Sequence, residues 1–279
     1  MIDAHAHLWD SSRFRYDWLA DEPCLPPTYL PDDFAVSAPE IESFIFVQAD
    51  CAAEEGFGEA AWVQSLRPTS GLRVAGIVAF APLETNYAAP ALAALANLRL
   101  VVGVRRLLQS EAESFFNLPA LRTGLSYVQR HGWTFDACVR WHQLENLYQL
   151  ARSHEALPVV IDHMGKPPLQ GTAEDLTQWR HQLSRLAQLP NTTIKLSGLP
   201  AEATSNVQPE AFGPWLRAAY DLFGPHRAMI GSDWPVSSQT SLTHAGWFKT
   251  VRNAIAPTAS EWDQVAGLTA ERVYRLPRA

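Results

Sequence analysis

Cysteine is scarce in this chain: Cys24, Cys51 and Cys138 are the only three in 279 residues, odd in number and far apart. That spacing excludes a disulfide framework and a CxxC metal site, and it fits a reducing, cytoplasmic setting. No apolar run reaches the ~20 residues that cross a bilayer. The chain does not open on a basic stretch followed by an apolar one, so no signal peptide is expected. Basic residues are in deficit, 22 against 29 acidic ones, for a formal charge of -7. Nucleic acids and anionic membranes attract the opposite sign, so neither is an expected partner. A glycine-rich turn after the first apolar run is also missing, which argues against an open dinucleotide-binding sheet.

What the sequence does hold is a 47% hydrophobic content, enough for one large core. Short apolar, β-branched runs recur over 1–5, 44–50, 73–83, 100–108, 133–140, 157–165, 192–199 and 228–235. Several are apolar throughout rather than alternating, as strands buried on both faces are. Helical spacing marks 91–97, 144–152, 176–189, 214–223 and 260–274 between or after them. Eight strands alternating with helices over ~250 residues predict an α/β fold, a (β/α)8 TIM-like barrel, as a single domain over 1–279. The proline- and aromatic-rich stretch 10–40 reads as irregular. In a barrel it follows the first strand and lies over the C-terminal face, as a lid, a pocket wall or a plain covering loop.

Polar residues gather where the strands should end. His5 and His7 are two apart on the first run, so they project to one side and Ala6 to the other. Two converging imidazoles are half of a zinc site. Asp162 and His163 end the sixth run, and Ser232 and Asp233 end the eighth. Lys195 and Asp136 sit inside apolar strands, and one of Arg105 and Arg106 must point inward. Buried charge is costly, so these groups need each other or a ligand. The remaining histidines, His131, His142, His154, His181, His226 and His244, fall on helices or loops and read as ordinary; His142, just after the fifth strand, is the one to watch.

His5-Ala6-His7, the IDHMGKP stretch with His163, KLSGL from Lys195, and MIGSDWPV with Asp233 together resemble the amidohydrolase superfamily. The narrower likeness is to its amidohydrolase-2 branch of sugar-lactone and related lactone hydrolases. It runs in order through nearly the whole chain, including FVQAD, GVRRLLQ, FDACVR and the terminal AERVYRL. The resemblance implies an amidohydrolase-type barrel with His5, His7, His163 and Asp233 at the reaction centre. The bridging residue of two-metal members is absent: the fourth strand offers Arg105 and Arg106, and the fifth offers Asp136. One zinc held by His5, His7 and Asp233, or catalysis without metal, both stay open; no organic cofactor is expected.

The expected reaction is hydrolysis of a small lactone, a sugar-acid 1,4-lactone first, with Asp233 as general base. Gln48, Arg105, Gln109 and Lys195 are the expected contacts for substrate hydroxyls, and Trp234 or an aromatic of the early loop the expected stacking face. The alternatives are a metal-dependent decarboxylase of the same superfamily and a catalytically silent barrel that binds a sugar acid. A homodimer is open.

Overall fold

The computed structural model describes residues 1–203, 207–239 and 242–276. The described residues form ten strands: β1 Ile2–Ala6, β2 Trp9–Asp10, β3 Thr28–Tyr29, β4 Ser43–Val47, β5 Arg73–Phe80, β6 Val101–Leu107, β7 Thr134–Cys138, β8 Val159–Ile161, β9 Thr192–Leu196 and β10 Ala228–Ile230. Eight of them form one parallel sheet in the order β1-β4-β5-β6-β7-β8-β9-β10. Every residue of β1, β4, β7, β8, β9 and β10 is buried. That is the physical reason these strands read as continuous apolar runs.

The sheet closes on itself without a β10–β1 ladder among the described residues. An isolated bridge joins Ala6 to Trp234. The Asp233 amide donates to the His5 carbonyl at 2.8 Å and the His7 amide to the Trp234 carbonyl at 2.7 Å. The Asp3 carboxylate completes the seam: its Oδ1 accepts from the His5 amide at 3.0 Å and from the Ser232 amide at 2.9 Å. Its Oδ2 lies 3.0 Å from Nε2 of His244, which is buried on the helix His244–Ile255. His244 is therefore not ordinary, as its sequence position suggested, but a brace behind the barrel seam.

Phe44, Phe46, Ile77 and Phe135 pack outward against the helices. Ile45, Val47, Val78, Val160 and Met229 fill the inside, with Tyr274, just after the helix Thr269–Val273, beneath them. The 260–274 region is not one helix. A wider π turn over Gln264–Leu268 separates Ala259–Asp263 from Thr269–Val273. The 10–40 stretch is more regular than expected: it holds the β2–β3 ladder, a 3-10 turn at Asp17–Asp21 and the helix Pro31–Ser37. It packs over the mouth through Trp9 and Tyr16 against Ala49 and Cys51. Trp18 ties it to the barrel by donating Nε1–H to the Ala49 carbonyl at 2.8 Å.

Candidate active site

The polar residues at the C-terminal mouth stand mostly just past the strands, not on them. β8 stops at Ile161, and Asp162–Gly165 turn away in a 3-10 bend. His163 (φ 52°) and Asp233 (φ 59°) have left-handed backbones, as do Asp50 and Lys166. Such conformations cost a non-glycine residue on the order of 1–3 kcal/mol each and persist where the surroundings fix them. Here all four line one cavity of about 220 Å³. Gly198 makes room for the bend: a Cβ there would sit 2.2 Å from the His163 ring.

His5, His7 and Asp233 meet in that mouth. Nε2 of His5 and Nε2 of His7 are 3.2 Å apart. Asp233 Oδ1 is 3.3 Å from His7 Nε2, 3.7 Å from His5 Nε2 and 3.8 Å from His163 Nε2. A tetrahedral zinc with bonds of about 2.0–2.1 Å has ligand atoms about 3.3–3.4 Å apart. The first three of these groups therefore fit one zinc without rearrangement. Their supports fit as well. His7 Nδ1 lies 2.7 Å from the Val47 carbonyl, which can only accept, so Nδ1 carries the proton and Nε2 offers its lone pair. Ser237 Oγ donates to Asp233 Oδ2 at 2.9 Å, leaving Oδ1 to face the imidazoles.

Electrostatics follow from burial and neighbours. Burial pushes the His163 pKa down to about 4, so this ring is neutral at pH 7. Burial also drives His5 well below its ordinary value, with Lys195 adding to the effect. For Asp233, burial opposes ionisation, but His163, His7 and His5 outweigh it and hold the carboxyl well below the usual range.

Under the histidines lies a closed ion cluster. Lys195 Nζ is 2.6 Å from Asp136 Oδ2, 3.0 Å from Asp162 Oδ1 and 3.2 Å from His5 Nδ1, and all four side chains have no exposed surface. Tyr274 and Thr134 donate to the Asp136 oxygens at 2.6 and 2.8 Å. Burial disfavours the ammonium, yet the Asp136 and Asp162 carboxylates outweigh it and keep its pKa above that of ordinary lysine. Lys195 is thus a counter-ion one layer below the pocket rather than a hydroxyl contact, because both its charge and its position are taken up by the two carboxylates.

The other expected contacts divide. Arg105 and Gln109 are on the pocket wall. Arg105 turns inward to Asp162 at 3.6 Å and donates to the Gln48 carbonyl, whereas Arg106 turns out to Glu84 and Glu111. Gln48 stands behind the wall, accepting from the Asp50 amide at 2.6 Å. Trp234 is packed between Tyr29 and Phe34 and is 2% exposed, so it offers no face to a substrate. Trp18 from the early loop lines the pocket in its place. Asp50, Lys166 and Glu202 also line it, with Lys166 and Glu202 paired at 2.6 Å. Sequence reasoning missed these three; the FVQAD and GKP stretches that carry Asp50 and Lys166 were the available signal. His142 is exposed and outside the pocket.

Another buried acid, Glu59, supports the wall. Glu59, on the helix Gly56–Ser65, accepts from Tyr16 Oη at 3.1 Å and from the Ala49 amide at 3.2 Å, and its Oε2 has no hydrogen-bond partner among the described residues. Burial lifts its pKa to about 7, from 4.5 in an open chain. The unfolded chain then loses this proton first as pH rises, so stability falls between pH 4.5 and about 7. The full effect is about 3 kcal/mol. Glu59→Gln should abolish that fall: denaturant titrations at pH 5 and pH 8 should show the variant gaining about 3 kcal/mol on the wild type between the two. An equal pH dependence in both proteins would remove Glu59 as its source.

A closed parallel barrel with a histidine pair at the end of its first strand, a histidine after its sixth and an aspartate after its eighth defines an amidohydrolase-type scaffold. The amidohydrolase family model matches residues 2–276, and the chain belongs to that family. The L-fucono-1,5-lactonase of Burkholderia multivorans is 32% identical over 295 aligned residues, 99% of this chain and 96% of the relative. A zinc-bound amidohydrolase crystal structure from Burkholderia multivorans superposes with a TM-score of 0.88 at 32% identity, covering 99% of both chains. The 2,6-dihydroxybenzoate decarboxylase of Rhizobium shares the fold at a TM-score of 0.62 and 15% identity over 98% of this chain and 97% of its own. No described helix is long and apolar enough to cross a membrane.

Proposed function

We propose that the chain opens the lactone ring of an uncharged, polyhydroxylated sugar acid by water attack at the carbonyl. One observation carries this reading beyond the family. Among the described residues, the pocket that meets at Asp233 offers hydrogen-bonding groups, and each of its cations faces a carboxylate: Arg105 faces Asp162 at 3.6 Å and Lys166 holds Glu202 at 2.6 Å. A carboxylated substrate, which decarboxylation requires, would arrive beside Asp50 and Glu202, with every cation of the described lining already facing a carboxylate. A neutral polyol meets acceptors in Asp50 and Glu202, the Gln109 amide, and an aromatic edge in Trp18. The lactonase name of the 32% identical relative agrees. A silent binding barrel has no use for four titratable groups meeting at one point, two of them, His163 and Asp233, in left-handed backbone conformations.

His5, His7 and Asp233 would hold a single zinc, which supplies a Lewis acid that lowers the pKa of water and polarises a carbonyl. Asp233 Oδ1 takes the proton of the attacking water, since Oδ2 is already engaged by Ser237. Neutral His163, with Nδ1 at 2.9 Å from Ser197 Oγ, presents Nε2 to the carbonyl oxygen as it becomes an oxyanion. Asp233 then returns its proton to the ring oxygen as the C–O bond breaks, giving one hydroxy acid from one lactone and one water. Asp162 Oδ1, 3.3 Å from His5 Nδ1, keeps that ring in place.

A pH-stat assay tests this with aldono-1,4- and aldono-1,5-lactones, a 2-pyrone dicarboxylate and a hydroxybenzoate. Acid release from one or more aldonolactones should exceed turnover of either carboxylated compound by about 100-fold or more in kcat/KM. The activity should fall with a chelator and return with zinc. Carbon dioxide from the hydroxybenzoate, with inert lactones, would contradict the proposal.

A further inference from the structure

The end of the barrel opposite the histidines holds a second cavity, of about 410 Å³. Ile2, Ser43 and Arg73 line it from the first residues of β1, β4 and β5, so it lies at the N-terminal ends of the strands. Arg67, Arg73 and Arg99 all open onto it, and none has an ion-pair partner among the described residues. Arg67 is held by its Nη1, which donates to the Gln64 and Leu66 carbonyls. Glu42, the carboxylate that feels Arg73, is already paired with the N-terminal ammonium at 3.0 Å.

A second observation points the same way. Ser43 is 1% exposed, lies on the cavity wall, and its hydroxyl has no hydrogen-bond partner among the described residues. The hydroxyl is reached from the cavity and can donate to an anion held there. Glu271 is the single carboxylate among the described lining residues. Three guanidinium groups against one carboxylate leave the cavity positive in a chain whose formal charge is -7. Guanidinium forks match the paired oxygens of phosphoryl and carboxylate groups, and one monovalent anion would leave part of this charge unmet.

We propose that this cavity is a binding site for a small multivalent oxyanion, a second ligand site separate from the catalytic mouth and independent of what is hydrolysed there. Isothermal titration of the metal-loaded protein with pyrophosphate and, separately, citrate tests it and separates phosphoryl from carboxylate ligands. One equivalent of either anion should bind saturably, and more weakly as sodium chloride is raised. The Arg73→Ala/Arg99→Ala double variant should bind at least about tenfold more weakly while its melting curve is unchanged. Glu271→Gln should bind about threefold more tightly, a gain that misfolding cannot produce. Binding should survive Asp233→Asn. Absence of saturable binding with both anions would overturn the proposal. So would binding unchanged in the arginine double variant, or binding lost in Asp233→Asn, which would place the anion on the catalytic centre.

Discussion

Asp233→Asn should lower kcat/KM for the best aldonolactone by about 1,000-fold, the scale on which a general base contributes. The substitution is close to isosteric, and the Ser237 hydroxyl, now 2.9 Å from Oδ2, can pair with either end of an amide. The backbone bond from residue 233 to the His5 carbonyl is untouched, so the barrel seam survives. What is lost is the negative oxygen that faces His5, His7 and His163 at 3.3–3.8 Å. With it go the proton acceptor and one of the three groups placed to hold zinc. Zinc content after dialysis should therefore fall together with activity, while the circular dichroism spectrum shows the barrel still folded. Activity within tenfold of wild type would assign the base elsewhere.

Lys195→Met should be the most damaging single change to stability, by about 3–5 kcal/mol. Methionine fills a similar volume but leaves Asp136 and Asp162 buried and unpaired beneath His5. Tyr274 and Thr134 still donate to Asp136, so that oxygen pair is partly satisfied; Asp162 keeps only His5 and the more distant Arg105. Two carboxylates sharing a dry space cannot both stay charged, so one must take up a proton. The variant should then be relatively more stable at pH 5 than at pH 8, opposite to any effect of losing a surface lysine. Adding Asp136→Asn should recover a substantial part of the loss. Chemical denaturation of the three proteins at both pH values checks this, and a loss below about 1 kcal/mol would mean that Lys195 is an ordinary solvated ion pair.

The strands were the most legible part of this chain, for a physical reason. A strand covered by helices outside and side chains inside has no polar face, so 44–50, 133–140 and 192–199 stand out without any periodicity analysis. Helices were less so. Gly56–Ser65 carries two glycines in its first turn and Pro119–His131 begins on a proline, and neither was anticipated. At the site, the identity of the converging residues could be read, but their roles depended on direction. Lys195 and Arg105 are both buried cations near strands; only the fold shows that one is enclosed by carboxylates and the other reaches the wall. Trp234 follows Asp233 directly, yet the left-handed turn at Asp233 sends its ring into the outer core. His244 is remote from every motif, and nothing short of the closed seam reveals its contact with Asp3.

The central claim is that residues from β1, from the bend after β8 and from the turn after β10 act as one centre. A double-mutant cycle tests it most directly, using kcat/KM of the wild type, His163→Ala, Asp233→Asn and the double variant on the best aldonolactone. Groups that serve one transition state are strongly non-additive. The double variant should be about as slow as the slower single variant. If the two losses multiplied instead, the imidazole and the carboxylate would be acting independently, and a shared reaction centre at this mouth would be ruled out.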